Sequence, residues 1–159
     1  MKAVEIIRII ILSFIGVLIM FVGQSFLFDS GLIPLDVDNI SGWLGTDYMP
    51  GAVLVFIISV FSTILWCVMT VKARDNRGNE VSRWSLFWWL IGLLPILSIG
   101  LAIGFFNTSD SANLPLTILF LFDVLLLFWL TTATSTPGTF MYIPPGSFFI
   151  RNLIERDRE

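Results

Sequence analysis

Every lysine and arginine of this chain falls into one of three clusters, and apolar runs long enough to cross a bilayer separate them. The clusters are Lys2 with Arg8, then Lys72, Arg74, Arg77 and Arg83, then Arg151, Arg156 and Arg158. Segments 29–50 and 107–113 contain no base and carry Asp29, Asp36, Asp38, Asp47 and Asp110 instead. Loops on the cytoplasmic side of a membrane accumulate Lys and Arg. The alternation therefore predicts an all-α membrane protein, a four-helix transmembrane bundle with both termini and the 72–83 loop inside.

The predicted spans are 9–28, 51–71, 84–106 and 114–132. The first holds twenty residues without an ionisable group, which at the helical rise is roughly 30 Å, the thickness of a hydrocarbon core. Lipid cannot hydrogen-bond open backbone, so each run must be a helix. Span one is expected to stay uncleaved, because its apolar stretch exceeds a signal-peptide core.

Composition agrees with this reading. Apolar residues make up 56% of the chain and charged residues 13%, against about 25% charged in a soluble domain. The net charge of −3 says little about partners because the charges are sorted by side. Histidine is absent and the one cysteine, Cys67, lies inside an apolar run. That removes His-based acid–base catalysis, a His or Cys metal cluster and an internal disulfide. No catalytic residue, metal or cofactor is expected, and the chain reads as a non-enzyme.

The bundle is expected to occupy residues 1–134, followed by a cytoplasmic tail over 135–159. Pro137, Gly138, Pro144, Pro145 and Gly146 break helical continuity there. Beyond them Phe149, Ile150, Leu153 and Ile154 recur at helical spacing, with Ser147 placed as N-cap. This predicts a short amphipathic helix whose apolar side rests on the bilayer surface, the bundle or a second protein. With Lys72, Arg74, Arg77 and Arg83, it forms the expected contact surface for a protein partner or anionic lipid. Direct nucleic-acid binding is not expected of so short a basic loop.

Residues 38–48 admit two readings: a short helix lying at the outer interface with Trp43 and Tyr48 at headgroup depth, or a loop capping the bundle. Trp84, Trp88 and Trp89 read as an aromatic belt at the inner interface.

Asp123 is the residue that most needs a partner. It is the tenth of the nineteen residues in span four, and a charge at that depth costs about 2.5–3.5 kcal/mol on an insertion scale. Thirteen Leu, Ile, Phe or Val residues of the span contribute about −0.3 to −0.6 kcal/mol each near the centre, so insertion still prevails. Its helical neighbours Leu119, Phe120, Leu126 and Leu127 are all apolar. Asp123 should therefore be protonated or hydrogen-bonded to a neighbouring helix, as interhelical glue or as an ion or proton site.

Span two offers a polar face of Ser59, Ser62, Thr63, Trp66 and Thr70. Ser59, Ser62 and Thr63 join Asp123 in the candidate intramembrane polar or ion site. Gln24 near the outer end of span one is placed to donate between helices or to meet the outer loop. In span three, Gly100 and Gly104 make a GxxxG pattern for close helix packing, and Pro95 should kink the helix.

Two functions follow as expectations. The first is an oligomeric membrane subunit that anchors or docks a cytoplasmic protein through its inner loop and tail. The second is a small oligomeric ion or proton channel gated at Asp123. In architecture alone the chain looks like many small four-span proteins, including bacterial phage-exclusion and defence membrane components. A bacterial inner membrane is the expected location.

Overall fold

The computed structural model describes residues 3–72, 81–136 and 144–147. Helix is the dominant structure, and no strand occurs among these residues. Four helices are long and apolar enough to cross a membrane: Ile6–Asp29, Ile40–Thr70, Trp84–Phe106 and Asp110–Ser135. We call the helices containing them α1 (3–29), α2 (40–72), α3 (81–106) and α4 (110–135). The stretches predicted from composition lie inside these bounds, but α1, α2 and α4 run on past their apolar runs at the acidic end, whereas α3 stops at Phe106 as expected.

The largest extension is in α2. The fragment 38–48 neither lies flat at an interface nor forms a separate cap, which corrects both sequence readings. It is the first turns of α2 itself. Asn39 starts the helix in an extended conformation, and its side chain accepts from the Gly42 N–H, as an N-cap does. Pro50 did not end the helix because the preceding turn, Leu44–Tyr48, is widened to π-type bonding. An ordinary turn would press the proline ring against the carbonyl four residues earlier. At the other boundary, α1 stops at Asp29 through Gly31, whose φ of 72° reverses the chain.

Two further widened turns occur, Leu18–Gln24 in α1 and Leu125–Leu130 in α4. Such turns are rare, and they misalign carbonyls from their usual donors. Neighbouring helices supply donors here. Tyr48 of α2 reaches the Met20 carbonyl at 2.5 Å, and Thr63 of α2 reaches the Leu127 carbonyl at 2.8 Å. Backbone geometry and side-chain identity on different helices are therefore matched.

Helices α2 and α3 pack along their lengths, α4 lies against both, and α1 rests on α4 and α2. The most hydrophobic window of α1 is 11% buried, against 39% for each of the others. A close approach holds α1 in place: a Cβ at Gly16 would collide with Leu127. Large apolar side chains such as Phe14, Phe26, Phe61, Leu97, Phe105 and Phe122 point outward from all four helices, as lipid-facing surfaces do.

Inside, two apolar clusters divide the bundle. One includes Phe28, Trp43, Tyr48, Leu116 and Phe120 at the end bearing the Asp-rich connections. The other gathers Trp66, Cys67, Trp88, Ile91 and Phe128 towards the basic end. Trp88 is 4% exposed and its Nε1 donates to the Thr132 hydroxyl at 3.1 Å. It is a core residue and not part of an interfacial belt, a correction that follows from its indole having a polar partner on α4. Trp89, 56% exposed, keeps the outward position expected of it.

Pro95 lies within α3, which continues through it, and Ser98 donates to the Pro95 carbonyl at 2.6 Å. A Cβ at Gly100 or Gly104 would meet nothing within 4 Å, so no helix among the described residues packs closely on them. The close α3–α4 approach is at Gly92 instead, where a Cβ would come within 2.8 Å of Phe128.

Candidate functional site

The buried polar side chains of the bundle sort into three levels along its axis. At the acidic end, Asp47 accepts from the Thr108 N–H at 2.9 Å, and its carboxylate is also held by the hydroxyls of Thr108 and Thr46. Trp43 Nε1 donates to Asn107 at 3.3 Å, tying α2 to the α3–α4 connection. Asp36, Asp38 and Asp110 flank a shallow open groove beside Thr108 and Ser111. They are exposed, and no group of three potential metal-ligating side chains occurs among the described residues.

At the basic end, Arg8 of α1 donates from Nη1 to the Thr134 carbonyl at 2.8 Å. A cation at the last turn of α4 complements the negative end of that helix. Trp66 donates to the Thr136 hydroxyl at 2.9 Å, so the end of α4 is also bonded to α2.

Between these levels sits Asp123, 1% exposed. Its partner is Gln24 of α1, 2% exposed, whose amide nitrogen lies 2.8 and 2.9 Å from the two carboxyl oxygens. Gln24 Oε1 in turn faces the Tyr48 hydroxyl at 2.9 Å. Tyr48 is fully buried, stacked on Phe120 with ring centroids 5.9 Å apart and packed on Phe28 at 5.5 Å. One side chain each from α1, α2 and α4 thus meet in a cluster that also reaches the α1 backbone at Met20.

Two of these helices place their polar residue at the last position of a widened turn, Gln24 and Tyr48. The third places Asp123 two residues before one. A π-type turn rotates the following residues relative to an ordinary helix, and so re-aims a side chain towards a neighbour.

Among the sequence candidates, the structure joins Asp123 to Gln24 and not to the hydroxyls of α2. Ser59 and Ser62 are fully buried, yet their hydroxyls have no hydrogen-bond partner, and Thr63 bonds the Leu127 carbonyl. These serines act as small residues that let helices approach. Thr70 bonds its own helix at the Cys67 carbonyl. The side chains of Lys72 and Arg83, and residues Arg74, Arg77, Phe149, Ile150, Leu153 and Ile154, lie outside the described residues.

Sequence reasoning missed Tyr48, which it placed at an interface. The available signal was an aromatic hydroxyl directly after Asp47 within a segment otherwise able to continue span two. No family model, curated protein or solved structure is significantly similar to this chain.

Proposed function

We propose that the protein is a membrane-embedded, non-enzymatic subunit that anchors a cytoplasmic protein partner through its 72–83 loop and its tail. The observation that supports this is how the interior polar groups are used. Asp123, Gln24, Tyr48, Thr63, Trp66 and Trp88 bond one another, the backbone or a threonine hydroxyl within the chain. A bundle bonded in this way is a rigid support, and its work falls to surfaces outside the hydrocarbon. In this reading the basic end faces the cytoplasm of a bacterium, and the membrane is the inner one. The outward-facing Gly100 and Gly104 offer a flat strip for a second copy, in keeping with a homo-oligomer. A role beside phage-defence components is the setting we favour for such an anchor.

The channel reading needs a polar route past Asp123. The close apolar packing on either side of the Asp123 cluster weighs against such a route within one protomer. The distinguishing experiment removes residues 147–159 and compares the intact and shortened proteins after crosslinking in the native host. Equal membrane insertion with loss of one reproducible crosslinked partner supports the anchor. Retention of every crosslinked species by the shortened protein would overturn it.

A further inference from the structure

Hydrogen counting around Gln24 shows a feature that neither an anchor nor a simple interhelical brace requires. Tyr48 has one hydroxyl hydrogen, yet two acceptors face it: the Met20 carbonyl at 2.5 Å and Gln24 Oε1 at 2.9 Å. With Asp123 ionised, the Gln24 nitrogen satisfies both carboxyl oxygens, and one of Tyr48's two acceptors is left without a donor. Among the described residues the carboxylate would also be a buried charge without a cation. Arg8, the one cation whose side chain is described, is bonded at the basic end to Thr134.

The other charged or titratable groups among the described residues are elsewhere. On α1, Asp29 is exposed. On α2, Asp47 is turned towards Thr108 and Thr46. Cys67 of α2 is buried in the basic-end cluster, α3 carries no ionisable side chain over 84–106, and Asp110 of α4 is exposed. A buried charge in that setting is far costlier than a neutral acid that donates a hydrogen bond.

An amide can turn end over end, exchanging oxygen and nitrogen with little change of shape. A proton on Asp123 then completes a directed chain. The acid O–H donates to Gln24 Oε1, Gln24 N–H donates to the Tyr48 oxygen, and Tyr48 O–H donates to Met20. Loss of the proton reverses the amide and withdraws a donor either from the widened turn of α1 or from Gln24.

We propose that Asp123, Gln24 and Tyr48 form a proton-binding site whose occupancy sets the hydrogen bonding between α1 and the rest of the bundle. The ligand is a single proton, taken up and released at an Asp123 carboxyl oxygen with no other bond made or broken. The proposal does not depend on the anchoring function and is tested separately from it.

The test is infrared spectroscopy of the full chain in phospholipid vesicles, with the aspartate carboxyl carbons isotopically labelled. At neutral pH the site predicts a protonated-carboxyl band that moves with the label and with deuterium exchange. The band should vanish in Asp123→Asn and shift in Tyr48→Phe, because the tyrosine acts on the acid through the amide. Absence of any label-sensitive protonated-carboxyl band from mildly acid to mildly alkaline pH overturns the proposal. So does a band unmoved by Tyr48→Phe. Labelling needs no substitution and Tyr48→Phe keeps the buried ring, so misfolding of Asp123→Asn leaves the test decisive.

Discussion

Replacing Tyr48 with phenylalanine removes a single oxygen from the centre of the bundle and leaves its apolar packing in place. The ring stays against Phe120 and Phe28, so little apolar burial is lost. What disappears is the donor to Met20 and the polar partner of Gln24. Interhelical hydrogen bonds in membranes average about 0.6 kcal/mol and reach about 1.7 kcal/mol. Leaving a buried group unpaired costs about 1–3 kcal/mol where nothing replaces its partner. Two affected partners therefore predict a loss of about 1–3 kcal/mol. The assay is reversible unfolding in lipid bicelles, with Thr117→Val as control, because Thr117 is exposed and bonds only the Asn113 carbonyl of its own helix. Combining Tyr48→Phe with Gln24→Leu should then cost less than the sum of the single changes, since both remove one shared contact. A Tyr48→Phe stability equal to that of the control, or full additivity with Gln24→Leu, would refute the reasoning.

Three further outcomes follow from the packing. Gly16→Val should destabilise the fold by about 1–3 kcal/mol, because its Cβ meets Leu127 at a close approach of the least buried span; the same unfolding assay measures it. Arg8→Met should cost about 1–2 kcal/mol by removing a charged donor from the last turn of α4, and hydrogen exchange should rise first in Thr131–Ser135. Paired Gly100→Ile and Gly104→Ile changes should leave protomer stability unchanged, since nothing lies within 4 Å of either position. On the proposed homo-oligomer, native mass in detergent should fall from oligomer to monomer, and an unchanged mass would remove this face from that proposal.

The number of spans and their order were readable from the sequence because they depend on two coarse quantities, apolar length and the sorting of bases. Helix ends were not. The run starting at Gly51 hid the fact that Ile40–Tyr48 belongs to the same helix, because Asp47, Thr46 and Pro50 look like a boundary. Those residues are accommodated by partners distant in sequence, Thr108 for Asp47, and by a widened turn before the proline. Asp123 stood out as a polar residue in lipid, and Gln24 was visible as a possible interhelical donor. Their pairing was hidden by depth. From the ends of their spans, Gln24 lies about 7.5 Å and Asp123 about 20 Å along the helix axis. Only a stagger of α1 against α4 brings them level. Gly100 and Gly104 show the opposite failure, since a short packing motif says nothing about whether its neighbour belongs to the same chain.

The central claim is that four helices cross a membrane with the aspartate-rich connections on one side and the basic segments on the other. Single cysteines introduced at Asp36, Asp110 and Arg77 in a Cys67→Ala background test it directly with a membrane-impermeant thiol reagent on intact cells. The account predicts labelling of Asp36→Cys and Asp110→Cys from outside, and of Arg77→Cys only after the membrane is opened. Labelling of Asp36→Cys and Arg77→Cys from the same side would contradict it.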